Sequence, residues 1–176
     1  MSRDLPSLRK DIIAAISTAW GESGIAIVRL SGSGSRDLVD SIFRGGAGLS
    51  PSQPRFMKHG FIYDAEENPV DEVLAVWFME PYSYTGEEAA EIHCHGGTVA
   101  ARKCLELCLD GGARMARPGE FTRLAFLNGR IDLAEAESVL GVIRSRSDGA
   151  LKAAAKCLQG RLSERIRGIL EELASL

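Results

Sequence analysis

The stretch RMARPGEFTRLAFLNGRIDLAEAE, residues 114–137, decides the fold. Pro118 favours extended backbone at the residue before it, and Gly119 permits a tight backbone path, so the two residues predict a loop. Upstream of this stretch the pattern mixes strands and helices, whereas downstream it is helical only. The stretch therefore predicts a joint between two domains, residues 1–118 and residues 119–176.

Two helices are predicted within this stretch. The first opens with Glu120, whose negative charge suits the exposed N–H groups of a first turn, and ends at an Asn-Gly break beginning at Asn128. The second begins at Asp132, which forms a capping box with Glu135 three residues later, and is expected to reach Arg146.

A single long helix is predicted for the last part of the chain, residues 148–176. Its apolar residues recur in steps of three and four and pass Gly160 without losing phase, which predicts one helix of about 28 residues. A helix of that length has too little of its own protein to pack against. We therefore expect the sequence to be a piece of something longer.

The first 118 residues predict a sheet with two helices. Met1–Lys10 is expected to be a loose tail, and residues 45–54 a loop. Strands are predicted at residues 11–16, 24–30, 59–63, 70–78, 88–95 and 113–116, and helices through Val39, Ile42 and Phe43 and over Thr98–Leu109. The expected fold class is α+β, with a mixed-sheet domain followed by an all-α segment.

Composition narrows the class of protein. A net charge of −3 and a pI near 5.7 argue against a sequence-independent nucleic-acid clamp, which needs a basic face. The N-terminal residues are too polar for a secretory signal, and no apolar run reaches the roughly 20 residues that span a bilayer. The four cysteines show no C-x-x-C spacing. These features predict a cytoplasmic protein with no membrane association.

Two glycine-containing motifs invite a nucleotide interpretation. SGSGSRD at residues 31–37 follows a strand and precedes a helix, but Asp37 occupies the third glycine position of the dinucleotide fingerprint. A serine-rich turn that caps an ordinary helix explains it better. The Walker A pattern G-x-x-x-x-G-K-[ST] does not occur in this chain, which therefore cannot hold a nucleotide through such a loop.

The sequence His93-Cys94-His95 raises the question of a metal site. On a strand His93 and His95 share a face and Cys94 points away, which gives two ligands with no third at a recognised spacing. No metal is expected, and packing of one histidine is the favoured interpretation. Gly96-Gly97, which follow, fit either a tight turn or a site where a ligand approaches backbone N–H groups.

Glu91 and Arg29 are the informative charged residues. Each lies within an otherwise apolar predicted strand, where an unpaired charge is costly. A structural salt bridge is the usual explanation for such a residue. A sharper one, for Glu91, is a carboxylate that faces the hydrogen-bond donors of a heterocyclic ligand.

Three blocks together resemble the N-terminal part of the tRNA-modification GTPases of the MnmE (TrmE) family: GIAIVRLSG, TGEEAAEIHCHGG and ARPGEFTRLAFLNGRIDLAEAE. The resemblance covers all but the N-terminal tail. It implies a first domain like the tetrahydrofolate-binding fold of glycine-cleavage aminomethyltransferases, and this domain also forms the homodimer. A helical domain is expected to follow, which a GTPase domain interrupts in the full protein. Trp20 and Ile12 depart from the family pattern near the first loop.

The resemblance also implies a function. The family acts with the flavoprotein MnmG (GidA) to build a carboxymethylaminomethyl group on the wobble uridine of certain tRNAs. The one-carbon donor is a tetrahydrofolate derivative, in the 5-formyl or methylene form. GTP, Mg²⁺ and K⁺ belong to the GTPase domain, which this chain lacks, so the chain alone should not hydrolyse GTP.

By resemblance, the folate contacts fall on Arg29, Glu91 and Arg130, and no catalytic residue or metal ligand falls on this chain. One carboxylate and two guanidinium groups complement a pterin ring and a glutamate tail. Two alternatives stay open: a free-standing folate-dependent one-carbon transferase, and a dimerisation module whose pocket is vestigial.

Overall fold

The computed structural model describes residues 11–50 and 52–174 of the chain. The predicted loose tail Met1–Lys10 lies outside the described residues. Two compact units make up the chain: one ends at Pro118 and the other begins at Gly119.

The first unit is a mixed seven-stranded sheet with two α-helices. Its strands are β1 (Ile13–Ile16), β2 (Ser23–Ser31), β3 (Phe43–Arg44), β4 (Lys58–Tyr63), β5 (Pro69–Phe78), β6 (Ala89–Gly96) and β7 (Arg114–Met115), and its helices are α1 (Ser35–Ile42) and α2 (Thr98–Asp110). The sheet therefore confirms the α+β class and the mixed-sheet prediction. One correction concerns Phe43, which was predicted to continue the first helix but begins β3, opposite Ile62.

The strand order is β3-β4-β5-β6-β2-β1-β7, and every neighbouring pair is antiparallel except β1 and β7, which are parallel. Strands β6 and β2 are central. Their register places Arg29 directly opposite Glu91. Because residues opposite each other point to the same face of a sheet, the two side chains lie side by side.

The hydrophobic core fills one face of this sheet, the face that α1 and α2 cover. Alternate residues of a strand point to opposite faces, so the inward set of β2 and β6 is apolar and the outward set is different. The inward residues are Ala26, Val28, Leu30, Ala90, Ile92 and Cys94. The opposite side, which we call the helix-free face, carries Arg29, Glu91 and the histidines.

The second unit consists of helices α3 (Glu120–Leu127), α4 (Leu133–Arg144), α5 (Asp148–Leu158) and α6 (Arg161–Ala174). Within the part of the chain that the structure describes, no strand follows Asp132, as predicted. The capping box is also confirmed: Asp132 accepts a hydrogen bond from the backbone N–H of Glu135, whose carboxylate accepts one from the N–H of Asp132.

The prediction of one long helix over residues 148–176 was wrong. The chain leaves helical geometry at Gln159 and Gly160, and Gly160 has a φ of +78°, in the left-handed region that glycine tolerates best. Its N–H donates to the carbonyl of Cys157, which closes α5 as a helix end. The apolar residues recur in steps of three and four on both sides of this break, so the sequence pattern carried no signal of it.

No residue of α4, α5 or α6 that the structure describes is buried, although these helices carry many large apolar side chains. The exposed ones are Leu133, Leu140, Ile143, Leu151, Leu158, Leu162, Ile166, Ile169, Leu170 and Leu173. In the described part of the chain, no helix is long and apolar enough to cross a membrane.

Candidate functional site

Arg29 and Glu91 form an ion pair at the centre of the helix-free face. The Nε atom of Arg29 donates to Oε1 of Glu91 at 2.8 Å, and their side chains are 27% and 13% exposed. Each residue sits between strand neighbours that point into the core, which explains why two charges occur in apolar sequence. The structure thus brings together two of the three predicted site residues.

Arg130, the third predicted residue, belongs to the second unit. It lies in the short connection between α3 and α4, and its backbone N–H donates to the carbonyl of Ala125 at 2.9 Å. Arg29 and Glu91 belong to the first unit.

An aromatic residue that the sequence analysis did not single out lies against this pair. The guanidinium carbon of Arg29 lies 5.3 Å from the centre of the Tyr84 ring, within the range of a cation–π contact. Tyr84 belongs to the loop between β5 and β6. Buried Thr85 anchors that loop through a 2.6 Å hydrogen bond with Ser31 of β2 and a 3.3 Å contact with Ser83. The loop therefore fixes an aromatic ring beside the guanidinium.

His93 completes the immediate surroundings of Glu91. Its Nε2 atom lies 3.1 Å from Oε2 of Glu91, two residues back along the same strand. His95 instead contacts Asp71 of β5, through Nδ1 to Oδ1 at 2.7 Å, and its backbone N–H donates to the other oxygen of the same carboxylate. The hydrogen bond and charge of Asp71 raise the pKa of His95 above its ordinary value of 6.5.

His59 contacts Glu72 at 2.6 Å, so each of the three histidines of the chain pairs with a carboxylate. The shared orientation of His93 and His95 is as predicted. Among the described residues, no group of three or more His, Cys, Asp and Glu side chains is arranged to hold a metal ion.

Cys94 points the other way, into the core, where its thiol donates to the carbonyl of Ala26. Cys104 and Cys108 of α2 are also buried there, and all three thiols are free. Burial raises the pKa of Cys108 to about 12, and contact with Cys94 together with burial raises the pKa of Cys104. The Cys104 and Cys108 side chains thus pack as small apolar groups.

Gly96 ends β6 at a point where the backbone of β2 approaches it closely. A Cβ atom at this position would lie 2.2 Å from the backbone oxygen of Ser23 on the neighbouring strand, so a larger residue cannot fit. Gly97 has extended backbone and is the N-cap of α2.

The SGSG turn caps a helix in a way that the sequence analysis did not foresee. The cap of α1 is not a serine: the Glu88 carboxylate accepts hydrogen bonds from the N–H groups of Gly34 and Arg36, at 2.9 and 3.2 Å. A carboxylate at a helix N-terminus is stabilised by the exposed N–H groups and the helix dipole. The N–H groups of Gly34 and Arg36 are therefore already hydrogen-bonded to a carboxylate of the chain itself. No local signal in the sequence indicated this role, because Glu88, the residue before β6, reaches α1 only in the folded chain.

Fold and site together define an α+β domain that presents a guanidinium–carboxylate pair on the helix-free face of its sheet. The family model that matches this chain is described as GTP-binding protein TrmE N-terminus, and it matches residues 12–130. The chain therefore belongs to the family of TrmE (MnmE) N-terminal domains.

Full-length relatives agree with this assignment. The chain is 50% identical over 165 residues to a tRNA modification GTPase MnmE of Geobacter sulfurreducens, covering 93% of this chain and 36% of the relative. Identity is 46% over 172 residues with the MnmE of Carboxydothermus hydrogenoformans, covering 96% and 37%. It is 49% over 165 residues with that of Syntrophomonas wolfei, covering 92% and 36%. The chain thus spans little more than a third of the length of these curated relatives.

Proposed function

We propose that this chain is the folate-binding and dimerisation part of a tRNA-modifying GTPase. Its sheet domain takes the fold of the tetrahydrofolate-binding domain of glycine-cleavage aminomethyltransferases, and its ligand is a reduced folate in the 5-formyl or methylene form. The observation that carries the proposal is the Arg29–Glu91 pair, a charge pair on the open face of two apolar central strands.

The chemistry of the pair suits a pterin. A carboxylate has about four lone-pair positions. Arg29 and His93 use one on each oxygen of Glu91, which leaves one on each oxygen for the donor edge of the pterin. Hydrogen bonds to a charged acceptor are the stronger kind. Arg29 and Arg130 supply positive charge for the polar atoms and the glutamate tail of the folate.

In the full protein, this portion contributes the one-carbon donor to the carboxymethylaminomethyl modification of wobble uridine. GTP hydrolysis, with its Mg²⁺ and K⁺, belongs to a GTPase domain outside this chain. The protein works as a cytoplasmic homodimer with the flavoprotein MnmG and a tRNA. The support for this larger assignment is family membership and the identity of the relatives, which are tRNA modification GTPases.

A second candidate is a dimerisation module that binds no ligand. It is favoured by the ion pair itself, because Arg29 and Glu91 already neutralise each other at 2.8 Å and so do not require a ligand to be stable in the sheet.

Titration calorimetry with 5-formyltetrahydrofolate tests the proposal. Glu91→Gln keeps the shape but replaces one acceptor by a donor, so the affinity should fall by about 10-fold or more. Arg130→Ala should weaken binding less, because Arg130 is exposed and solvent screens exposed ion pairs.

Glu72→Gln is the matched control for this experiment, since Glu72 also pairs with a histidine on the helix-free face but lies on β5, away from Arg29. Its affinity should equal that of the wild type. Circular dichroism checks that each variant is folded. If Glu91→Gln binds the folate as tightly as the wild type does, Glu91 is a structural residue only. If the wild type does not bind the folate, the dimerisation module is favoured.

A further inference from the structure

Both carboxylate oxygens of Glu91 have a polar contact within the sheet. Oε1 accepts from Nε of Arg29 at 2.8 Å, and Oε2 lies 3.1 Å from Nε2 of His93. A carboxylate with one contact can rotate about it, whereas two contacts from different directions fix the plane of the group. The orientation of the remaining lone pairs is therefore fixed as well.

Among the described residues, the carboxylate that the His93 imidazole contacts is that of Glu91. Its cross-strand neighbours are Leu74 on β5 and Ile27 on β2, both apolar. His95, the next residue on the same face, is held by Asp71. The His93 side chain is 22% exposed, so the hydrogen bond to Glu91 is only partly open to competition from water.

We infer that His93 is a positioning residue for ligand binding: it sets the plane of the Glu91 carboxylate so that both oxygens meet the donor edge of a planar heterocycle. This inference rests on the proposed folate-binding function. His93 itself needs no contact with the ligand, and it acts through Glu91.

The test compares His93→Leu with His93→Gln by calorimetry with 5-formyltetrahydrofolate. Leucine removes the polar contact, and the affinity should fall by about 5- to 10-fold because the unclamped carboxylate must be ordered on binding. Glutamine carries an amide N–H₂ near the position of Nε2, and its affinity should stay within about twofold of wild type. His59→Leu, which removes the other half of a histidine–carboxylate pair on the same face, should leave binding unchanged.

A double-mutant cycle separates positioning from a general structural role. In a Glu91→Gln background, His93→Leu should have no further effect, because the group that His93 orients is already changed. Losses that multiply would show that His93 acts independently of Glu91 and would overturn the inference.

The remaining outcomes are also decisive. Equal affinity of His93→Leu and wild type overturns the positioning role while leaving the proposed function intact. Lack of binding by the folded wild type overturns the proposed function and the inference with it. If His93→Leu does not fold by circular dichroism, His93→Ser replaces it, since a serine hydroxyl is too short to reach Glu91 and the same loss is expected.

Discussion

At the scale of single residues, the contact between His95 and Asp71 gives a direct prediction. The hydrogen bond that the Asp71 carboxylate accepts from the His95 imidazole raises the pKa of His95 above 6.5. A raised pKa means that the pair stabilises the fold fully below the ordinary value, and that this stabilisation is lost as the pH rises through the elevated pKa. In a histidine NMR titration, the midpoint of His95 should therefore lie above 6.5, and Asp71→Asn should bring it back towards that value.

Asparagine is the suitable replacement because its side-chain oxygen can still accept the hydrogen bond from the backbone N–H of His95. The variant then removes the negative charge and keeps the hydrogen bond to the backbone N–H of His95. The same His95 midpoint in the wild type and in Asp71→Asn would contradict the prediction.

The residue scale also shows what the sequence could predict about the site. Arg29 and Glu91 stood out because charges in apolar strands need partners. That they are each other's partner did not follow, since 62 residues separate them and only the register of β2 against β6 brings them together. Tyr84 and Asp71 were missed for the same reason: their roles arise from a loop and a neighbouring strand, not from a local pattern.

At the scale of helices and strands, the capping box of α4 predicts a pH effect. The side-chain hydrogen bond from Ser163 and the backbone N–H of Glu135 lower the pKa of Asp132 below its ordinary value of 3.8. The stabilisation is present above that value and is lost as the pH falls through the lowered pKa. The melting temperature of Asp132→Asn, measured by circular dichroism, should therefore lie below that of the wild type at pH 6, and the difference should shrink in acid.

Asparagine is itself a good N-cap, so this comparison isolates the charge. Ser163→Ala provides the second arm, since it removes the first cause of the lowered pKa. With alanine at position 163, the effect of Asp132→Asn on the melting temperature should vanish at a higher pH than it does with serine there. An effect that is independent of pH would contradict the assignment.

Secondary structure was predicted best where the chain carries a local signal. The capping box at Asp132 is such a signal, and so is the Asn-Gly helix end after Leu127. The break at Gly160 was not predicted because the spacing of the apolar residues in the sequence continues across it. Strand β3 was not predicted because its two residues adopt strand structure only through pairing with β4.

At the scale of the whole molecule, the helix-free face predicts self-association. Alongside its charged pairs it exposes apolar side chains of three strands: Ile25 at 60%, Leu74 at 41% and Phe61 at 39%. A second copy of the chain would remove this surface from water, and a symmetric dimer is the commonest such assembly. Sedimentation velocity at micromolar concentration should therefore show a dimer, which Leu74→Glu weakens by about 10-fold or more.

Val99→Glu is the matched control, because Val99 is 63% exposed but lies on α2, which covers the opposite face. It should dimerise like the wild type. A chain that ends at Ser147 separates the sheet from the last helices and should remain dimeric. A monomeric wild type would count against the prediction. If the wild type is dimeric but the chain that ends at Ser147 is monomeric, the interface lies on the helices after Ser147.

The pairing of β1 has a consequence for how the chain is made. Its partner on one side, β2, follows within a few residues, but its partner on the other side, β7, is synthesised roughly 100 residues later. Strand β2 likewise waits for β6. During translation, the early strands therefore carry open edges until nearly the whole sheet unit has emerged, and such edges favour association between nascent chains. We expect the sheet to close late and as one event, which makes the interval before Met115 emerges the time when this protein most needs a chaperone.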